Sequence, residues 1–293
     1  MHKESGMSST KINEHTITDA IDAHQHFWHY EPVQHSWIND EMAIIRQDFL
    51  PGDLLPVLQE NGVAACVAVQ ADQTASETDF LLELAAENSF IKGVVGWVDL
   101  RAPGIEKRLV HYQQFQKLKG FRHILQGEDP VFMLQPSFVN GIAALHKYNF
   151  TYDILIFPQH LNAARELVKQ FPDQQFIIDH IAKPFIKDGL RDAWETGIKA
   201  IAQYPNVYCK ISGMVTEADM RNWNETDFAP YLDVVTTAFG INRIMYGSDW
   251  PVCLAAGSYE EVIGIVRKYF ASFSAEEQQK VFSKNAAAFY QLI

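Results

Sequence analysis

Cysteine is scarce in this chain of 293 residues. There are three, Cys66, Cys209 and Cys253, far apart and without a C-x-x-C spacing. Their odd number and apolar settings argue against a disulfide scaffold and read as reduced packing residues. Cys253 alone has a second reading, as part of a pocket wall, because it follows a candidate catalytic segment. An excess of basic residues is also lacking. Lys and Arg number 24 against 36 Asp and Glu, a formal charge of −12, which argues against nucleic acid and anionic membrane as partners. No apolar run approaches the roughly 18 residues of a membrane span. The opening "MHKESGMSSTKINEHTIT" has no apolar segment of the secretory kind. It reads as a flexible leader over 1–18, with His2 and His15 solvated and Met7 as an alternative start. These absences predict a soluble, cytoplasmic protein. No Pro-, Gly- or Ser-rich linker and no low-complexity tract divides the rest, so 19–293 reads as one domain.

What is present is an alternation. Eight short runs have strand composition: "AIDAHQHFW" (20–28), "ACVAVQA" (65–71), "IKGVVGWVDL" (91–100), "KGFRHILQ" (119–126), "TYDILIF" (151–157), "QFIIDHI" (175–181), "NVYCKIS" (206–212) and "RIMYGSDWP" (243–251). Most are apolar at consecutive positions, as strands covered on both faces should be. Between them lie segments with helical period. "PGDLLPVLQENG" stops at Gly62, a C-terminal cap signal. "SETDFLLELAAENS" offers Ser76 with Asp79 as a variant capping box. "SAEEQQKVFSKNAAAFYQLI" reads as one long closing helix capped by Ser274. Eight strand–helix repeats are the arithmetic of a (β/α)8 barrel of the TIM type. A doubly wound sheet fits less well, since no G-x-G-x-x-G follows the first strand. The connection after that strand, with Trp37, Ile38 and Met42, is long and apolar enough to predict an ordered flap over the barrel mouth.

Polar residues gather where the strands end, which in a barrel is the catalytic face. His24 and His26, two apart, point to the same side of a strand. Two histidines alone are better explained by hydrogen bonds in a polar core layer. His180 in "IIDHIAKP" and Asp249 in "IMYGSDWP" end two further apolar runs. A carboxylate so placed needs a partner, because burying it unpaired costs several kcal/mol. Convergence of His24, His26, His180 and Asp249 suits one divalent, zinc-like ion.

In "DAHQHFW", "GFRHILQ", "DHIAKP" and "YGSDWP", in that order over almost the whole length, the chain resembles the amidohydrolase superfamily. It is most similar to its lactonase branch, the L-fuconolactonase and L-rhamnonolactonase type of sugar-lactone hydrolase. The resemblance implies that His24 and His26 are metal ligands or substrate-polarising groups, that His180 stands beside them, and that Asp249 takes the proton from attacking water. No lysine ends the fourth strand and no histidine ends the fifth, so a two-metal centre is not expected. One metal ion or metal-free catalysis both remain workable for an activated ester such as a lactone.

Secondary candidates have two readings each. Arg122 and His123 either grip substrate or form a structural ion pair, with Arg122 also a candidate to stabilise an oxyanion. Trp97 offers a flat face to a sugar ring or simply packs. Gln70 ends the second strand, and Trp250 shapes the pocket beside Asp249. His29 and His35 in the flap touch substrate or are solvated. Tyr152 and Asp153 open the fifth strand and can face the barrel bottom. Lys210 and Ser212 are weaker candidates, and His160 reads as structural. The leading expectation is a hydrolase of a small aldonolactone in carbohydrate catabolism. Its rivals are a metal-dependent non-oxidative decarboxylase of a small aromatic or unsaturated acid, and a catalytically dead barrel. The particular lactone and any homo-oligomer are not legible.

Overall fold

Eight parallel strands pair in chain order in a computed structural model that describes residues 19–293; the leader expected over 1–18 lies outside the described residues. The strands are β1 (Ala20–Gln25), β2 (Val63–Val69), β3 (Ile91–Gly96), β4 (Leu118–Ile124), β5 (Thr151–Leu155), β6 (Phe176–Ile178), β7 (Val207–Ile211) and β8 (Ile244–Tyr246). The ring closes just past the ends of β8 and β1. Asp249 N–H donates to His24 O at 2.8 Å, and His26 N–H donates to Trp250 O at 2.7 Å. The result is the (β/α)8 barrel, and its seam runs through the residues singled out above.

The outer ring is α1 (Pro51–Glu60), α2 (Ala75–Glu87), α3 (Ile105–Tyr112), α4 (Pro136–Lys147), α5 (Leu161–Gln170), α6 (Asp192–Ile201), α7 (Ala229–Phe239) and α8 (Tyr259–Phe270). Gly62, at φ +63°, follows α1 as the cap signal predicts. The start of α2 differs from expectation. Thr74 caps it by accepting Glu77 N–H, while Ser76 already lies in the first turn and donates to Thr74. Ser274 does cap the closing segment. That segment is not one helix: α9 (Ala275–Gln279) and α10 (Asn285–Phe289) are joined by a π-helical turn over Lys280–Lys284. No helix among the described residues is long and apolar enough to cross a membrane.

Both faces of the strands are covered, which is why their sequences run apolar. Inside the barrel Ala23, Val67, Val69, Val95, Ile177 and Met245 pack with Phe289 and Tyr290, which plug the end where the strands begin. Outside, Cys66, Ala68, Phe121, Ile154 and Ile211 belong to the layer under the helices. Each fully buried aliphatic or aromatic side chain contributes about 1.5–3 kcal/mol. All three cysteines are free and buried, and burial pushes each thiol up, so they are inert packing groups. The flap over 26–50 is tied down by reciprocal main-chain hydrogen bonds between Trp28 and Phe49 and by burial of Ile38, Ile45 and Phe49. It leaves Val33, Trp37 and Ile44 exposed.

Candidate active site

The first strand is not a regular one. Asp22 pairs with Cys66 and Gln25 with Ala68, so three steps of β1 run against two of β2. Such a bulge turns side chains out of simple alternation and is common beside active sites. Ala23 faces the barrel interior while His24, its neighbour, reaches the interior cluster described below. Asp22 anchors the bulge. Its carboxylate accepts His24 N–H at 3.1 Å, Ser248 N–H at 2.9 Å, the Ser248 hydroxyl at 2.5 Å and the Tyr259 hydroxyl at 3.0 Å. Burial pushes the Asp22 carboxyl up to about 6 against those hydrogen bonds. The anchor couples β1 to the loop that carries Asp249.

Asp249 and His180 are both held by strained backbone. Asp249 has φ +61°, and residues 180–183 all have positive φ, one left-handed turn after β6. Left-handed conformation costs non-glycine residues about 1–2 kcal/mol each and persists where the surroundings enforce it. Here the Trp194 indole N–H donates to Ile181 O at 2.6 Å. His180 therefore lies two residues beyond its strand, not on it. Close approach explains two glycines. A Cβ on Gly247 would stand 2.6 Å from His24 Cβ, and one on Gly213 would stand 2.5 Å from His180 Nδ1.

These constraints aim four atoms at one point. Asp249 Oδ1 lies 3.3 Å from His26 Nε2, 3.8 Å from His24 Nε2 and 3.8 Å from His180 Nε2. All four side chains are buried, none more than 4 % exposed as a residue. The partners of the other ring nitrogens fix the tautomer of His26 and constrain those of His24 and His180. His26 Nδ1 lies 2.7 Å from Val69 O, which can only accept, so Nδ1 carries the proton. His180 Nδ1 meets the Ser212 hydroxyl at 2.9 Å. His24 Nδ1 faces Asp179 Oδ1 at 3.3 Å and Lys210 Nζ at 3.1 Å, an acceptor and a donor side by side. With the proton on Nδ1 in each ring, every Nε2 directs a lone pair at the Asp249 carboxylate. Burial drives His24 and His180 well below the usual imidazole range, so both are neutral at pH 7. Burial raises Asp249, and it takes positive charge on His180 or a proton on His26 Nε2 to bring the carboxyl below its usual range.

Acceptors facing acceptors in a dry site need a cation or a transferable proton between them. The donor set fits a divalent ion. His24, His180 and Asp249 offer ligand atoms all within 4.8 Å of one another. Ligand atoms around a tetrahedral zinc with bonds of about 2.0–2.1 Å lie about 3.3 Å apart, and imidazoles oriented by a second-nitrogen hydrogen bond are the usual ligands.

Beside this cluster lies a fully buried ionic layer. Lys210 Nζ donates to Asp153 at 2.6 Å and lies 3.0 Å from Asp179 and 3.1 Å from His24 Nδ1. Arg122 Nη1 donates to Asp179 at 3.0 Å and lies 3.2 Å from His24 Nε2, while Nη2 donates to Gln70 O. Tyr290 donates to Asp153 at 2.7 Å. Burial would raise Asp179, but Lys210, His24 and Arg122 hold it well below the carboxylate range. Asp153 goes the other way, pushed up to about 6 by burial despite Lys210. Asp153 therefore faces the interior layer and not the bottom, and Lys210 and Ser212, ranked low from sequence, both touch the histidines. Asp179 was missed altogether.

Trp97 Nε1 donates to His123 Nδ1 at 3.3 Å, and His123 stacks on Phe132 with its Nε2 3.5 Å from Glu128. Gln70 is fully buried and donates to Arg122 O at 3.2 Å. Trp250 packs between Phe27 and Phe49. His29 is largely exposed and bonds Asp48 at 2.8 Å. His35 is not solvated: it is buried among Trp28, Tyr30 and Trp37. His160 is buried against Glu128 O at 3.0 Å, a structural position as expected.

A family model described as Amidohydrolase matches residues 21–292. An L-fucono-1,5-lactonase of Burkholderia multivorans is 38 % identical over 93 % of this chain and 96 % of its own. One of Burkholderia ambifaria is 34 % identical over 94 % and 97 %. The crystal structure of an amidohydrolase from Burkholderia multivorans with bound zinc superposes with a TM-score of 0.91, at 38 % identity over 94 % of this chain and 100 % of that one. A dihydroxybenzoic acid decarboxylase from Polaromonas, 12 % identical over 93 % of this chain and 97 % of its own with a TM-score of 0.65, shares the fold alone.

Proposed function

The chain belongs to the amidohydrolase family, and from that premise we propose that it is a hydrolase opening the ring of a sugar-acid lactone. The carrying observation is the pair His26 Nε2 and Asp249 Oδ1, two buried acceptors 3.3 Å apart with two further imidazole lone pairs beside them. The substrate class follows the curated relatives, both named L-fucono-1,5-lactonase. Nothing in the site favours decarboxylation. The buried reduced thiols fit a reducing compartment, and we place the protein in the cytoplasm.

His24, His26 and His180 through Nε2, with Asp249 through Oδ1, would hold one divalent ion. When bound, such an ion acidifies water and polarises a carbonyl oxygen. Asp249 takes a proton from the attacking water as the water oxygen bonds to the lactone carbonyl carbon. The tetrahedral carbon then releases the ring oxygen, which takes that proton back and becomes a hydroxyl. A carboxyl held below its usual range is a weak base but a strong acid, so it suits the second transfer best. The new carboxyl ionises and releases one proton. Trp97 and His123 take the sugar ring, one offering a flat face and the other an N–H at Nε2. Arg122, Asp179 and Lys210 orient His24 without touching substrate. Gln70 supports Arg122, Trp250 backs Asp249, and His29 stays with the flap.

Proton release from a panel of L- and D-aldonolactones, before and after chelation, tests this reading. Rapid opening lost on chelation assigns a metal-assisted hydrolase. Opening that survives chelation moves the work to Asp249 and the histidines alone. No lactone opened, while an aromatic acid lost carbon dioxide, would overturn it.

A further inference from the structure

His24 is claimed from two directions. Its Nε2 belongs to the four-atom cluster, and the same atom lies 3.2 Å from Arg122 Nη1. A guanidinium only donates, so Nη1 directs an N–H at the lone pair that a metal would use. One lone pair serves one of them at a time. Arg122 is not a loose side chain that drifts into this position. It rises from β4, is 4 % exposed, and is fixed by Asp179 Oδ2 at 3.0 Å and by the main-chain carbonyl of Gln70. Its charge is permanent, and in a site sheltered from water it repels a second cation more strongly than it would in bulk solvent.

We propose that Arg122 is an internal cation that competes with the divalent ion for Nε2 of His24. Metal occupancy is then set by Arg122 as much as by the four ligands. Asp179 on one nitrogen and Arg122 on the other hold the His24 ring in place independently of any ion. This deepens the functional reading above and rests on its assignment of the cluster as a metal site.

The test is zinc affinity of metal-stripped protein, measured by competition with a chromophoric chelator and with no lactone present. Arg122→Gln removes the charge and the contact, and it is expected to bind zinc roughly ten-fold tighter or more, the scale of one hydrogen bond to a charged donor. The gain should vanish when the same change is made in a His24→Gln background. Affinity equal to or below the parent, in a variant with parental near-ultraviolet circular dichroism, overturns the proposal. So does a gain undiminished without His24, since charge repulsion alone would then account for it. Should Arg122→Gln fail to fold, the unaltered protein still decides. Zinc added to arginine-labelled protein should shift the Arg122 guanidinium NMR resonances, and zinc bound with those resonances unmoved sinks the idea. Lactone opening is assayed separately on the same preparations. Loss of the lactone reading leaves the affinity result standing, and the reverse also holds.

Discussion

Two groups of buried polar side chains lie side by side in this barrel, sharing His24, and they are balanced differently. In the interior layer two cations, Arg122 and Lys210, meet two carboxylates, Asp153 and Asp179, at hydrogen-bonding distance. At the mouth one carboxylate, Asp249, meets three imidazole nitrogens that all act as acceptors. The first group balances its charges two against two, so its contribution is to order: it fixes the position and angle of the His24 ring. The second is incomplete by one cation or one proton, so its contribution is chemistry. A barrel interior that neutralises its own charges can hold a converging set of acceptors next to them without collapsing onto it.

The sharpest way to break the comparison is Asp249→Asn. The amide removes the proton acceptor and a metal ligand, and lactone opening should fall by about 10²–10⁴-fold. Stability should barely move, with the metal-free melting temperature within about 3 °C of the parent, because no cation is left unpaired. A variant that kept most of its turnover would remove Asp249 from the chemistry. Lys210→Met does the converse. It strands Asp153 and leaves Asp179 with Arg122 alone, and losing one partner of a buried ion cluster costs about 3–5 kcal/mol. Urea unfolding should show that loss directly. A change under about 1 kcal/mol would mean the layer is not the balanced unit described above.

The contrast also explains what was legible in sequence. Eight apolar runs with turn signals gave away the barrel, because strands covered on both faces cannot hide their composition. His24, His26, His180 and Asp249 stood out as ligand types ending apolar runs. Asp179 did not, although it adjoins His180. The strand ends at Ile178 and the chain enters a left-handed turn, so alternation no longer says which neighbour points inward. Lys210 and Asp153 are 57 positions apart, and neither betrays its partner locally. A signal was available: each is a charge inside a buried strand and needs an opposite one. The bulge in β1 leaves no local mark at all, since it depends on the register with β2. The capping of α2 by Thr74 was missed by two residues for a simpler reason, that Thr74 and Ser76 both suit a cap.

A further buried carboxylate has no cation in hydrogen-bonding contact. Glu77, mostly buried near the flap, accepts Ala71 N–H at 2.8 Å. Burial pushes it from 4.5 up to about 7, with its main-chain donors only partly opposing. Asp179, equally buried but facing Lys210 and Arg122, moves the opposite way. A carboxyl whose folded value lies above its unfolded one stabilises the fold fully below about 4.5, and that stabilisation is lost as pH rises through about 7. The parent should therefore lose roughly 2–3 kcal/mol from this group between pH 5 and pH 8. Glu77→Gln stays neutral throughout and keeps an acceptor for Ala71, so its stability should be flatter over that range and exceed the parent's most at pH 8. Urea midpoints at both pH values for both proteins supply the four numbers needed. Parallel losses in parent and variant would show that Glu77 ionises as an exposed glutamate does, and that burial without a cation is not what separates it from Asp179.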